Sequence, residues 1–184
     1  MFRKGSVYSL LIAVGLSAAP MFAATPDPNE QSLKDLQLKE KIRKELVMLP
    51  YYGVYDNLTF ELNGGAVILT GQAVRPITRS DAEHRVKKVE GVQSVINNIE
   101  VLPLSSFDDA IRVRAYRAVF RTGGLYRYAQ GANPSIHIVV NNGRVTLEGV
   151  VSNASDSDLA FIAANGVSGV FSVTNNLRVE HARF

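Results

Sequence analysis

The chain has 184 residues, no cysteine and a formal net charge of +3, with 20 basic against 17 acidic side chains. Without cysteine it can hold no disulfide framework, and the bacterial lipoprotein route, which needs a lipidated cysteine behind the leader, is closed. The charge excess is too small and too local to point to nucleic acid, so no nucleic-acid partner is expected.

The chain opens with a basic start, "MFRK", an apolar run, "GSVYSLLIAVGLSAA", and small residues suited to cleavage in "MFAAT". Residues 1–24 therefore read as a secretory signal peptide, since the apolar run of about 15 residues falls short of the roughly 20 that a membrane span needs. The mature chain is expected to be soluble outside the cytoplasm. In its second half, residues 103–184, every basic side chain is an arginine.

Next, "LKDLQLKEKIRKELVML" places Leu38, Ile42, Leu46 and Leu49 on one helical face. Alternating runs follow, "NLTFELN" and "AVILTGQAV", joined by "NGG", which supplies the residues a tight hairpin uses at positive φ. A second helix is predicted around Thr78–Val89 and a final strand over Val95–Val101. The same order then repeats. "DDAIRVRAYRAVFRT" is apolar at helical spacing, "SIHIVVN" and "RVTLEGVV" form a hairpin through "NNG", a helix is predicted over Asp156–Asn165, and a strand over Val173–Val179.

A shift of 78 positions lays residues 63–101 over 141–179 without a gap, with 14 identities, among them Gly65/Gly143, Leu69/Leu147, Gly71/Gly149, Ala82/Ala160 and Gly91/Gly169. A period this long suits two small domains, each with its own core, rather than a solenoid. The expected fold class is α+β: two tandem αββαβ domains, each a three-stranded mixed sheet packed on two helices. Their expected extents are 35–102 and 108–180.

The segments "GAVILTG…GVQSVINNIEV" and "GRVTLEG…GVFSVTNNLRV" resemble the BON domain, named for bacterial osmotically induced and nodulation proteins. The resemblance covers most of the mature chain. It implies a periplasmic protein of the cell envelope, often stress-induced, without enzymatic activity and in some members binding phospholipid. It implies no cofactor.

Sites for chemistry are sparse. His84 has Asp81 three residues earlier on one helical face, but no third ligand accompanies the pair; His137 sits in a strand and His181 in the tail. With no G-x-S-x-G elbow and no phosphate-cradling glycine loop, no catalytic residue and no metal ligand is assigned.

The first helix of the second copy carries more content. At 100° per residue, Ile111, Ala115, Ala118, Val119 and Thr122 form one stripe, while Val113, Tyr116 and Phe120 cluster opposite. Extending the 78-residue shift backwards lays Tyr116 over Leu38 and Phe120 over Ile42, which favours the aromatic stripe as core. One stripe is left over either way, and arginines border it. Arg112, Val113, Tyr116, Arg117, Phe120, Arg121 and Arg127 are therefore the candidate lipid- or partner-binding residues. The expected partner is an anionic phospholipid surface, with guanidiniums pairing to headgroups, or else other envelope proteins held by an adaptor that touches no lipid. A contact between the two domains is a further possibility. The tyrosines of "PYYGVYDN" and "GGLYRYAQG" are expected to cap the small cores with their hydroxyls left in water.

Overall fold

The computed structural model describes residues 28–131 and 133–180; the expected signal peptide and His181 lie outside the described residues. The first copy runs α1 (Pro28–Val47), β1 (Asn57–Asn63), β2 (Ala66–Ala73), α2 (Pro76–Lys87), β3 (Ser94–Asn97) and β4 (Glu100–Val101). The second runs α3 (Ser106–Arg121), a short 3-10 helix (Leu125–Ala129), β5 (Ile136–Asn141), β6 (Arg144–Val151), α4 (Ala154–Asn165) and β7 (Ser172–Val179). The expected pair of αββαβ units is the architecture observed.

Each sheet is built around its second strand. β2 pairs antiparallel with β1 and parallel with β3 and β4, and β6 pairs antiparallel with β5 and parallel with β7. The tight hairpin accounts for the antiparallel pair. The parallel pair needs a crossover, which α2 and α4 supply. Alternate residues of the central strands, Val67 and Leu69 in β2 and Val145 and Leu147 in β6, are fully buried against the helices. In the first copy the last strand breaks after Asn97 because Ile99 turns inward to full burial, whereas its counterpart Leu177 stays half-buried and β7 runs on.

The repeated asparagines join strand to helix. Asn97 accepts from the backbone N–H of Ile99 at 3.2 Å and donates to the carbonyl of Arg79 at 2.9 Å. Asn175 accepts from Leu177 N–H at 3.2 Å and donates to the carbonyl and hydroxyl of Ser157. Both partners sit 78 residues apart as well, so the bracing is duplicated intact.

The first helices do not follow that shift. In α3 the fully buried stripe is the small one, with Ile111, Ala115 and Val119 all at 0% exposure; of the aromatic stripe that the backward shift favoured, Phe120 joins the core at 6%, Tyr116 is half-buried and Val113 is exposed. Nine residues separate Val47 of α1 from Asn57 of β1, whereas 14 separate Arg121 of α3 from Ile136 of β5, a stretch that holds the 3-10 helix. The buried Ile42 and Leu46 accordingly have buried counterparts 73 positions on, Ala115 and Val119, and not 78. The extra length between helix and hairpin is why the 78-residue shift does not carry back into α3.

Gly71 and Gly149 have φ of +107° and +119°, and a Cβ on either would stand 2.0 Å from a backbone oxygen of the neighbouring strand, that of Asn57 or Ser135. No side chain can yield there, since both obstacles are backbone. Gly71→Ala and Gly149→Ala are each expected to cost about 2–4 kcal/mol, combining strain at positive φ with overpacking. Urea unfolding of the two variants measures this.

A candidate ligand-binding groove on the second domain

Helix α3 is fixed at its start by two acidic and hydroxyl contacts. Ser105 caps it, accepting the backbone N–H of Asp108 at 3.1 Å. The fully buried Asp108 carboxylate then accepts from the N–H groups of Asn142 and Gly143 at 2.9 and 2.8 Å, tying the helix to the β5–β6 hairpin. At the far end Thr122 donates to the carbonyl of Ala118 at 2.8 Å. With the inner stripe consumed by the core, the rest of α3 is positioned to a fixed rotation.

A groove of about 530 Å³ lies along its outer side. Tyr116 and Phe120 line it, their rings 4.8 Å apart and tilted by 59°. Arg117 and Arg121, both exposed, border it, and Val113 at 43% exposure stands at its margin. Tyr126 of the 3-10 helix lines it too, and so does Tyr55, which comes from the first copy. The Tyr55 and Tyr116 rings meet edge to face, 6.4 Å apart. Burial pushes the Tyr55 phenol above its ordinary value, so it stays uncharged.

Five candidate residues therefore converge, namely Val113, Tyr116, Arg117, Phe120 and Arg121, although Phe120 is only 6% exposed and offers little more than a ring edge. Two do not join them. Arg112 is 3% exposed; it pairs with Asp109 at 2.5 Å and donates to the carbonyl of Val140 at 2.8 Å. It faces into the protein because the rotation of α3 carries it against the edge of β5.

Arg127 is committed elsewhere too. It pairs with Asp156, donates to the Gly124 carbonyl at 3.1 Å, and lies 4.7 Å over the ring of Tyr128. The Tyr128 hydroxyl is itself buried, not left in water: it donates to Asp156 at 2.5 Å and accepts the N–H of Ser152 at 2.9 Å. The equivalent donor in the first copy, Val74 N–H, is met at 2.7 Å by Asp56. Asp156 is thus the hub that seats α4 on the 3-10 helix.

The groove shares its outer wall with a seam between the copies. Val54 and Tyr55 pack against the second core, and the carbonyl of Val54 accepts the N–H of Ile138 at 2.7 Å. His137 reaches back to Gly53 and Tyr52, and Asn133 donates to the carbonyl of Val47 at 2.8 Å. Sequence reasoning missed Tyr55 as part of this site. Only the fold brings it across, and the one available signal was the aromatic clustering of its loop. His84 bonds to its own helix at the Ser80 carbonyl, 2.9 Å away, and among the described residues no group of three metal-ligating side chains converges.

Two αββαβ units, each with a hairpin, a helical crossover and a parallel third strand, define a duplicated α+β module. The chain belongs to the BON domain family, whose profile matches residues 34–103 and 108–181. Proteins of this family are generally envelope-associated and non-catalytic. It is also similar to an uncharacterized protein from the gshII 5' region of Anaplasma centrale, 26% identical over 157 residues, covering 82% of this chain and 98% of that one. Among solved structures it resembles CdsD, a structural protein of the type III secretion system of Chlamydia trachomatis. The match has 17% identity and a TM-score of 0.29, over 80% of this chain and 94% of that one. Among the described residues no helix is long and apolar enough to cross a membrane.

The hydrogen bond from Tyr128, with those of Arg127 and Asn153, holds the Asp156 carboxyl below its ordinary range. A carboxyl depressed in the folded state contributes stability that is present above its unfolded value, about 3.9, and is lost as pH falls through the folded one. Asp156→Asn is expected to cost about 1–3 kcal/mol at neutral pH and to flatten the acid limb of stability below about pH 4. Thermal unfolding across pH checks both.

Proposed function

We propose that this protein is a non-catalytic module of the bacterial cell envelope, working in the periplasm after export, that binds anionic phospholipid surfaces through α3. The observation that carries this reading is the pairing of Arg117 and Arg121, which make no ion pair or hydrogen bond with the described residues, with an aromatic groove between them and Tyr126. A guanidinium presents a rigid fork to a phosphate, and tyrosine rings suit the depth of lipid headgroups. The contact proposed is peripheral, at the level of the headgroups. Exposure of Val113 beside the arginines gives the apolar part of the contact.

The adaptor reading draws on a different feature, the Phe107 and Phe171 rings at the hairpin end of the second domain. They stand 6.1 Å apart, with Phe171 at 75% exposure. Arg114 reaches the same place, against Gly169 beside Phe107, and the exposed ring pair suits a protein surface better than a headgroup.

Flotation with vesicles of phosphatidylglycerol and phosphatidylcholine separates the two. Each basic residue near an anionic surface is worth about 1 kcal/mol, so the Arg117→Glu, Arg121→Glu double variant is expected to bind at least tenfold more weakly. Binding equal to the unaltered protein by a folded double variant overturns the assignment to α3. Neutral vesicles are expected to float neither.

A further inference from the structure

We propose that Tyr52–Asp56 of the first domain is a strap that completes the groove on the second, and that the charge of His137 sets whether the strap is seated. This rests on the lipid reading above and supplies its regulation. Three consecutive features of the strap meet the second domain: Tyr52 at His137, Val54 at the open edge of β5, and Tyr55 at Tyr116 in the groove. Whatever moves the first contact therefore moves a wall of the groove.

The histidine is 8% exposed and both ring nitrogens are engaged across the seam. Nδ1 lies 3.2 Å from the carbonyl of Gly53, and Nε2 lies 3.3 Å from the hydroxyl of Tyr52. A carbonyl can only accept, so Nδ1 carries the hydrogen and Nε2 must be the acceptor, with Tyr52 donating to it. Tyr52 is suited to that role, because burial first, and the Asp56 charge second, push its phenol up to about 12. One geometry thus selects one tautomer of the neutral ring.

Protonation at Nε2 reverses that bond: the Tyr52 hydroxyl must turn to accept from the ring and loses the acceptor it was donating to. Asp56 on the strap and Glu148 on β6 favour the imidazolium, Glu148 while also held by Asn176 at 2.7 Å. Arg43 of α1 and Arg178 of β7 line the same interdomain cleft and oppose it, and Arg112 faces Asp56. Burial outweighs the backbone carbonyls of Gly53 and Asp56 and the two carboxylates together, and holds His137 below its ordinary 6.5.

The sign follows from linkage. A histidine depressed in the seated state takes up its proton more readily when the strap is free, so seating is full above about pH 6.5 and is lost as pH falls below it. Asp56 works in the opposite sense, since burial, against the N–H groups of Val74 and Gly53, pushes its carboxyl up.

The test has two arms on the full chain. In solution without lipid, the nuclear Overhauser contact between the Tyr55 and Tyr116 rings is followed together with the His137 ring titration. The contact is expected to fade from about pH 7.5 to about pH 5.5, with His137 titrating below the ordinary histidine value of about 6.5. In the second arm, affinity for equimolar phosphatidylglycerol and phosphatidylcholine vesicles is expected to fall at least about threefold over the same range. His137→Gln, which cannot take the charge, is expected to abolish both changes, and Tyr55→Ala to bind weakly at either pH. A ring contact that persists to pH 5.5, or a His137 titrating at or above 6.5, overturns the strap without any variant. Fading of the contact with no vesicle binding at any pH overturns the lipid reading and, with it, the strap's part in lipid binding.

Discussion

With the 52–56 segment seated, the edge of strand β5 is closed. All five residues from Ile136 to Val140 are buried, so the strand is covered on both faces, and backbone groups on its free side would be stranded without water. Two devices close it. The N–H of Ile138 donates to the carbonyl of Val54 in the other copy, and the carbonyl of Val140 accepts from the guanidinium of Arg112. The first brings the 52–56 segment across the seam and sets Tyr55 beside Tyr116. The second takes one arginine of α3 out of solvent and leaves Arg117 and Arg121 as the cations of the groove.

The duplication explains why the scaffold is economical and why the site is not duplicated. Features that hold a strand to its neighbours recur at the same spacing: the glycines at Gly71 and Gly149, and the asparagines at Asn97 and Asn175. Features that seat a helix differ. Asp108 pins α3 to its hairpin, and the Tyr128–Asp156 pair answers the donor that Asp56 answers in the first copy. Once one copy no longer has to match the other's helix register, its helix can rotate and show a new face. The groove lies on the helix that rotated.

Much of the fold was legible because it rests on local patterns. Period-two alternation, Asn-Gly turns and a gapless internal shift carry both hairpins, the crossover and the final strands, and those are the parts whose partners lie close in sequence. The buried face of α3 was not legible. Both of its stripes are apolar, and the longer run from helix to hairpin in the second copy, 14 residues against nine, is a loop length that no periodicity constrains. For the candidate site, Val113, Tyr116, Arg117, Phe120 and Arg121 were readable as one helical surface. Arg112 and Arg127 are drawn away from that surface for the same physical reason: an arginine shows its charge in the sequence, but whether a carboxylate or a strand edge claims it depends on tertiary neighbours. Tyr55 belongs to the site only through the seam, so nothing near it in sequence announces the role.

The amide of Ile138 reports the central contact most directly. Native-state hydrogen exchange on the full chain at neutral pH is expected to show this N–H protected as strongly as the buried amides of the central strand β6, because it is bonded to Val54 and shut from water. If Ile138 exchanges at the rate of an open strand edge while β6 stays protected, the copies are not joined through β5 and the account of the groove as a two-domain structure fails.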